Sequence, residues 1–133
     1  MLTFESQLES KVPDLKVAVV KVAVERVEDS NPKLEELKKA VINEVRSKYS
    51  LESLKDVRIF RCYRDFFWRL GIDPTKVRPA SEALVRRILQ GGSIPTINAA
   101  VDAINLSSIQ TEIVIDAFDT AKISGEIRIK FAS

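Results

Sequence analysis

Apolar residues recur at every third or fourth position in four stretches of the chain, a spacing typical of amphipathic helices. The predicted helices span residues 32–49, 57–71, 79–90 and 96–109. Pro32 follows Ser30 or Asn31, so a proline at the first helical position stands behind a capping residue. Gly71 and the Gly91-Gly92 pair follow the second and third helices, where glycine commonly ends a helix.

Three other stretches are rich in β-branched residues and predict strands. They cover residues 15–27, 112–118 and 126–131. The first, LKVAVVKVAVERV, is apolar on both faces over several residues, which predicts a central strand covered on both sides. The last, EIRIKF, alternates strictly between polar and apolar residues, as a strand with one buried face does.

The amino-acid composition excludes several kinds of functional site. The 133 residues fit one domain, residues 1–133, and the net charge of +2 does not by itself indicate a nucleic-acid binder. There is no histidine and one cysteine, Cys62, which we predict to be a small core residue. This composition excludes an internal disulfide, a thiolate zinc site and a histidine-dependent catalytic triad, so we expect no metal and no cofactor. The N-terminus lacks a signal peptide and no apolar run is long enough to span a membrane, so a cytoplasmic setting is predicted.

Arginines are concentrated in and after the second predicted helix. Within that helix they alternate with aromatic residues, a composition that can bind nucleic acid through phosphate pairing and base stacking. The alternative is an amphipathic helix with a solvated basic edge. The arginines concerned are Arg58, Arg61, Arg64 and Arg69, followed by Arg78, Arg86 and Arg87.

The Gly91-Gly92 pair also allows two interpretations. Adjacent glycines permit a positive φ and a close backbone approach, so the segment GGSIP can cradle an anion or a ligand carboxylate. The alternative is a helix C-cap followed by a connector, because the pair lacks the spacing of a phosphate-binding loop.

The fourth predicted helix contains a polar stripe formed by Asn98, Asp102 and Asn105. Spacings of four and three residues place the three side chains on one helix face. A solvated face usually recruits lysine and glutamate, whereas a compact set of asparagine and aspartate suits fixed hydrogen bonds. We predict that the stripe either anchors the neighbouring segments 91–95 and 117–119 or borders a pocket.

The segments RPASEALVRRIL, GGSIPTINAAVDAIN and AFDTAKISGEIRIKFA together resemble the tRNA-editing domain of the phenylalanyl-tRNA synthetase beta subunit, and more closely its free-standing archaeal and bacterial relatives. The resemblance covers residues 63–132. It implies an α+β fold, with a layered mixed sheet flanked by helices. It also implies a protein that corresponds to the first half of the editing domain, as a short or truncated member. Asp116 stands where a histidine commonly precedes the AFD triplet of the synthetase form.

The resemblance implies three alternative functions. The first is an RNA-binding module that contacts tRNA or aminoacyl-tRNA. The second is a free-standing hydrolase of misacylated tRNA, with Asn98, Asn105 and the Gly91-Gly92 backbone as oxyanion donors. Its base would be Asp102, Asp116 or Asp119. The third is a non-catalytic scaffold whose exposed sheet edges are covered by forming a homo-oligomer. The residues expected to contact substrate or RNA are Arg78, Arg86, Arg87, Gly91, Gly92, Asn98, Asp102, Asn105 and Asp116.

Overall fold

The computed structural model of the chain describes residues 2–132. Five α-helices, two short strands and two 3₁₀ turns follow one another along this part of the chain. They are β1 (Leu2–Phe4), α1 (Ser6–Lys11), α2 (Pro32–Lys48), a 3₁₀ turn (Leu54–Asp56), α3 (Arg58–Arg69), α4 (Ala80–Leu89), α5 (Ala99–Thr111), a 3₁₀ turn (Thr120–Lys122) and β2 (Ile127–Ile129). The fold is therefore α+β and mostly helical.

The larger of two compact units comprises residues 26–117 and contains α2 to α5. Helices α2, α4 and α5 pack against one another, and their inward side chains form its core together with Leu54, Phe60 and Ile94. Burial of each large aliphatic or aromatic side chain contributes about 1.5–3 kcal/mol. The inward helix residues are Val41, Val45, Val85, Ile88, Leu106 and Ile109.

The start of α2 follows the predicted signal. The Asn31 side chain accepts hydrogen bonds from the N–H groups of Lys33 and Leu34, at 3.0 and 3.4 Å, and Pro32 occupies the first helical position. Proline has no N–H to leave unsatisfied there, and its fixed φ suits a helix. All four predicted helices are confirmed in position, although α5 begins at Ala99 rather than Thr96.

The smaller unit comprises residues 2–25 and 118–132. Its two strands, β1 and β2, pair in parallel, with Leu2 opposite Ile127 and Phe4 opposite Ile129. The prediction of a strand at 126–131 is thus confirmed for its central residues, whereas β1 carried no strand signal. The layered mixed sheet is not seen, because the described residues contain this two-stranded sheet alone.

The predicted strand at 15–27 is wrong. Residues 15–27 form neither helix nor strand, and their valines are 42–79% exposed. The preference of valine for strands reflects packing against cross-strand neighbours. Within the described chain, residues 16–27 have no neighbouring strand to provide that packing or to accept their N–H groups.

The predicted strand at 112–118 is also wrong, for a different reason. The N–H of Val114 donates to the hydroxyl of Tyr63 at 3.0 Å, and Ser108 Oγ donates to the carbonyl of Ile113 at 2.5 Å. Side chains of α3 and α5 therefore form hydrogen bonds with the backbone groups that would otherwise pair with a neighbouring strand. Residues 112–118 form neither a helix nor a strand.

Candidate nucleic-acid interface

Helix α3 divides into a buried and an exposed face. Phe60 is fully buried in the core, while Phe66 and Phe67 are partly buried. On the opposite side Arg58 and Arg61 are exposed, and the indole of Trp68 is 57% exposed. At about 100° per residue these positions share one side of the helix. We call Arg58, Arg61, Cys62, Asp65 and Trp68 the basic face.

The basic face is open to solvent along its length. Arg61 lies 3.6 Å from Asp65, four residues later, and both side chains are more than half exposed. Such a surface pair is weak, so the guanidinium remains available to another anion. Cys62 is exposed on this face, so the prediction that it is a core residue is wrong. The core position on this turn is taken by Phe60.

Two other arginines turn inward instead. Arg64 donates from Nε and Nη2 to the two carboxylate oxygens of Glu82, at 3.0 and 2.5 Å, and the carboxylate is fully buried. Arg86, one helical turn after Glu82, lies 3.4 Å from the same carboxylate. The hydrogen bond to Glu82 raises the pKa of Arg64. This cluster joins α3 to α4 through a bidentate ion pair, so Arg64 and Arg86 are committed to the fold.

The other arginines of the predicted site differ from Arg86 in exposure. Arg87 is exposed on α4, and Arg78 is exposed in the segment that precedes this helix. Arg86 is largely buried, and its Nε has no hydrogen-bond partner among the described residues. Of the three predicted arginines, Arg78 and Arg87 are thus exposed, whereas a contact of Arg86 with RNA would require it to leave Glu82.

Gly91 and Gly92 close the end of α4. Gly91 has a φ of +86°, which favours glycine, and its N–H donates to the carbonyl of Ile88 at 3.1 Å. The N–H of Gly92 donates to the carbonyl of Arg87 at 2.9 Å. A β-carbon on Gly92 would lie 2.9 Å from that carbonyl oxygen, which leaves no room for a larger residue. The C-cap interpretation is confirmed, and both N–H groups that an anion would need are already occupied.

The polar stripe at the start of α5 mostly anchors backbone. Asn98 precedes the helix and accepts from the N–H of Val101 at 3.0 Å, as an N-cap does. Asp102 is fully buried, and its Oδ1 accepts from the N–H of Ile97 at 2.9 Å. Asn105 is partly buried one turn later. The two N-terminal members of the stripe therefore hold the turn that enters α5.

A buried lysine completes this anchor. Lys38 of α2 is 4% exposed, and its Nζ lies 2.9 Å from Asp102 Oδ2. The same ammonium group donates to Glu35 at 2.8 Å and reaches the segment before α5 through Thr96 Oγ1 at 2.9 Å and the Pro95 carbonyl at 3.2 Å. A buried ammonium group is tolerated only when its protons are matched by acceptors. The network fixes the loop after Gly92 against α2.

The same network sets the pKa values of its members. Burial favours the neutral form of Asp102, but hydrogen bonds from Ile97 and Lys38 outweigh it, so the pKa of this carboxyl is lowered. Burial likewise opposes the charge of Lys38, yet the bonds to Glu35 and Asp102 leave its pKa raised. Both groups are therefore charged at neutral pH. An ionised, paired aspartate with a lowered pKa is a poor general base.

The remaining predicted site residues lie elsewhere. Asp116 is exposed in the segment after α5. Asp119 caps the following 3₁₀ turn by accepting from the N–H of Ala121 at 3.0 Å. Residues 2–132 contain no cluster of three or more acidic or cysteine side chains able to hold a metal ion. None of the helices described for the chain is both long and apolar enough to cross a membrane.

Sequence reasoning missed three residues that the structure makes prominent. Lys38 and Glu82 were indistinguishable from the charged residues of a solvated helix face, and both are buried. Trp68 was not singled out among the aromatic residues of α3, and its indole is exposed. Its position offered a signal, because seven residues separate it from Arg61, and this spacing returns to nearly the same side of a helix.

The comparisons with known proteins agree with the resemblance seen in the sequence. The family model for the B3/4 domain matches residues 62–133, just over half of the chain. Neither the comparison with curated proteins nor the comparison with solved structures finds a match. The matched residues include most of α3 with Trp68, the Glu82 cluster and all of α5. The chain belongs to the B3/4 domain family, the domain found in the phenylalanyl-tRNA synthetase beta subunit.

Proposed function

We propose that this protein is an RNA-binding module that contacts tRNA or aminoacyl-tRNA through the basic face of α3. The observation that carries the proposal is the joint exposure of Arg58, Arg61 and Trp68 on one side of a helix whose other side is packed in the core. Guanidinium groups pair with phosphates and an indole stacks on a base, so this combination suits a nucleic acid.

Family membership supports the same proposal, because the domain occurs in an enzyme that handles tRNA. Exposed Arg78 and Arg87 add positive charge near α4. Since the whole chain has a net charge of only +2, binding must depend on this local distribution rather than on bulk charge. We propose a cytoplasmic location as well, because tRNA is available there.

We expect the Arg58→Ala/Arg61→Ala variant to bind unfractionated tRNA about tenfold more weakly than the wild type at low salt. Each lost phosphate contact should also reduce the slope of log affinity against log salt by about one unit. Fluorescence anisotropy with labelled tRNA over a salt series measures both quantities. The fold should be unaffected, because both arginines point away from the core.

Two further variants make this test specific. Arg46→Ala removes an exposed arginine from α2 and should leave the affinity nearly unchanged. Asp65→Asn removes the carboxylate of the basic face and should strengthen binding, because it ends the competition for Arg61. Equal losses from Arg46→Ala and from the α3 variant would refute the proposed location.

The hydrolase alternative finds no comparable support. Among its candidate donors, Asn98 and the Gly91-Gly92 backbone already cap α5 and α4. Among its candidate bases, Asp102 is ionised and paired with Lys38, and Asp119 caps a 3₁₀ turn. These groups stabilise the fold at the positions where a catalyst would need them free.

Self-association is a second candidate, favoured by the exposed valines of residues 17–24. An extended, apolar segment with an unpaired backbone readily adds to a strand of another chain. We expect light scattering to show a concentration-dependent increase in mass, and Val20→Lys, at a position 79% exposed, to reduce it. Lys21→Arg keeps the charge pattern and serves as the control. A constant monomeric mass over the accessible concentration range would rule this candidate out.

A further inference from the structure

We infer that Trp68 is a stacking platform for an unpaired base, so the RNA bound by the basic face is single-stranded at the point of contact. This inference rests on the proposed function and narrows it to a class of RNA. It concerns the C-terminal end of α3, where the exposed indole lies.

Trp68 is the most exposed aromatic side chain of α3. The other large aromatic residues of α3 are buried or partly buried, whereas Trp68 leaves 57% of its surface in water. A single exposed apolar residue is common and needs no partner. The indole is distinctive here because it shares its helix face with two exposed guanidinium groups, which can hold a polyanion against it.

Trp68 and Arg61 are well separated along the axis of α3. Trp68 follows Arg61 by seven residues, about 10 Å along the helix axis. The guanidinium of Arg61 thus lies about two helical turns from the indole. It can reach the backbone of a neighbouring nucleotide, so the face suits a strand that runs along the helix.

The chemistry of stacking excludes a duplex at this position. A base inside a duplex has both faces covered by its neighbours, whereas an unpaired base offers a free face to an aromatic side chain. The recognition is sequence-tolerant, because every base has such a face. We therefore expect loops and single-stranded ends to be preferred over helical RNA.

The chain provides its own probe, because Trp68 is the only tryptophan. Titrating the wild-type protein with a short unstructured RNA should quench the tryptophan fluorescence in a saturable manner. The same strand annealed to its complement should bind more weakly and quench less. Trp68→Ala should weaken binding of the unpaired strand about 5- to 150-fold, the range found for one stacked base, while Trp68→Phe retains most of the affinity.

Phe118→Ala is the matched control, because Phe118 is an exposed aromatic outside α3, at 70% exposure. Its affinity for the unpaired strand should equal that of the wild type. The inference is overturned if Trp68→Ala binds that strand as tightly as the wild type, or if duplex and single strand bind equally well. RNA binding that depends on Arg58 and Arg61 but not on Trp68 would overturn the inference alone. An absence of any RNA binding would overturn the proposed function with it.

Discussion

Replacing Glu82 by alanine is expected to lower the free energy of unfolding by about 3–5 kcal/mol, the largest effect of any substitution considered for this chain. The buried carboxylate holds Arg64 in a bidentate pair and also contacts Arg86. Its removal leaves two largely buried guanidinium groups without their anion. Chemical denaturation followed by circular dichroism measures the loss.

Two comparisons separate this effect from a general loss of helix stability. Glu36→Ala removes an exposed glutamate from α2 and should change stability by no more than about 0.5 kcal/mol. Arg64→Met with Glu82→Leu replaces the pair by apolar groups and should be milder than Glu82→Ala alone, because one guanidinium group, that of Arg86, loses its anion instead of two. A loss below about 1 kcal/mol for Glu82→Ala would contradict the structural role of the cluster.

The second large effect is expected from Asp102→Asn, at about 3 kcal/mol. The amide oxygen can still accept from the N–H of Ile97, so the variant mainly removes the negative charge beside Lys38. Lys38 keeps Glu35 as a partner, which places the loss at the lower end of the range for a broken buried pair. Adding Lys38→Met should recover at least half of the loss, because the buried positive charge disappears with it. If the double variant is less stable than Asp102→Asn, the pair does not act as described.

The same pair of residues, Lys38 and Asp102, predicts how the stability of the fold depends on pH. The pKa of Asp102 is lowered from its ordinary value of 3.8, so its stabilisation is fully present above pH 3.8 and is lost as pH falls through the lower, folded-state pKa. The pKa of Lys38 is raised from 10.5, so its stabilisation is fully present below pH 10.5 and is lost as pH rises through the folded-state pKa. In the Lys38→Met/Asp102→Asn variant, both of these contributions to the dependence of the free energy of unfolding on pH should be absent. Equal profiles for the variant and the wild type would contradict the assignment.

Local signals predicted the helices because the information lies within each segment. The cap formed by Asn31 and Pro32, the apolar spacing of α2 and the glycines after α3 and α4 all act over a few residues. The end of α5 had no such signal. Glu112 adopts a φ of +64°, where glycine is usual, and its carboxylate is held by Lys48 at the end of α2 and by Tyr49, which follows it. That arrangement depends on contacts more than sixty residues away in the chain.

Partners distant in sequence explain the other differences. Residues 16–24 have the composition of a strand, but a strand also needs a neighbour, and the described chain supplies none. Lys38 resembles its solvated neighbours on α2 until Asp102, 64 positions later, is brought against it. Glu82 is likewise defined by Arg64, 18 positions earlier. Periodicity indicates which positions face inward but not which charged residue finds a buried partner there.

The most direct test of the central claim, that RNA binds the basic face of α3, is the alkylation rate of Cys62. This residue is the only cysteine and is exposed on that face beside Arg58 and Arg61. Saturating tRNA should slow its reaction with a maleimide severalfold. A cysteine placed at exposed Ala40 of α2, in a Cys62→Ser background, should react at the same rate with and without tRNA. An unchanged rate at Cys62 while tRNA is bound would contradict the claim.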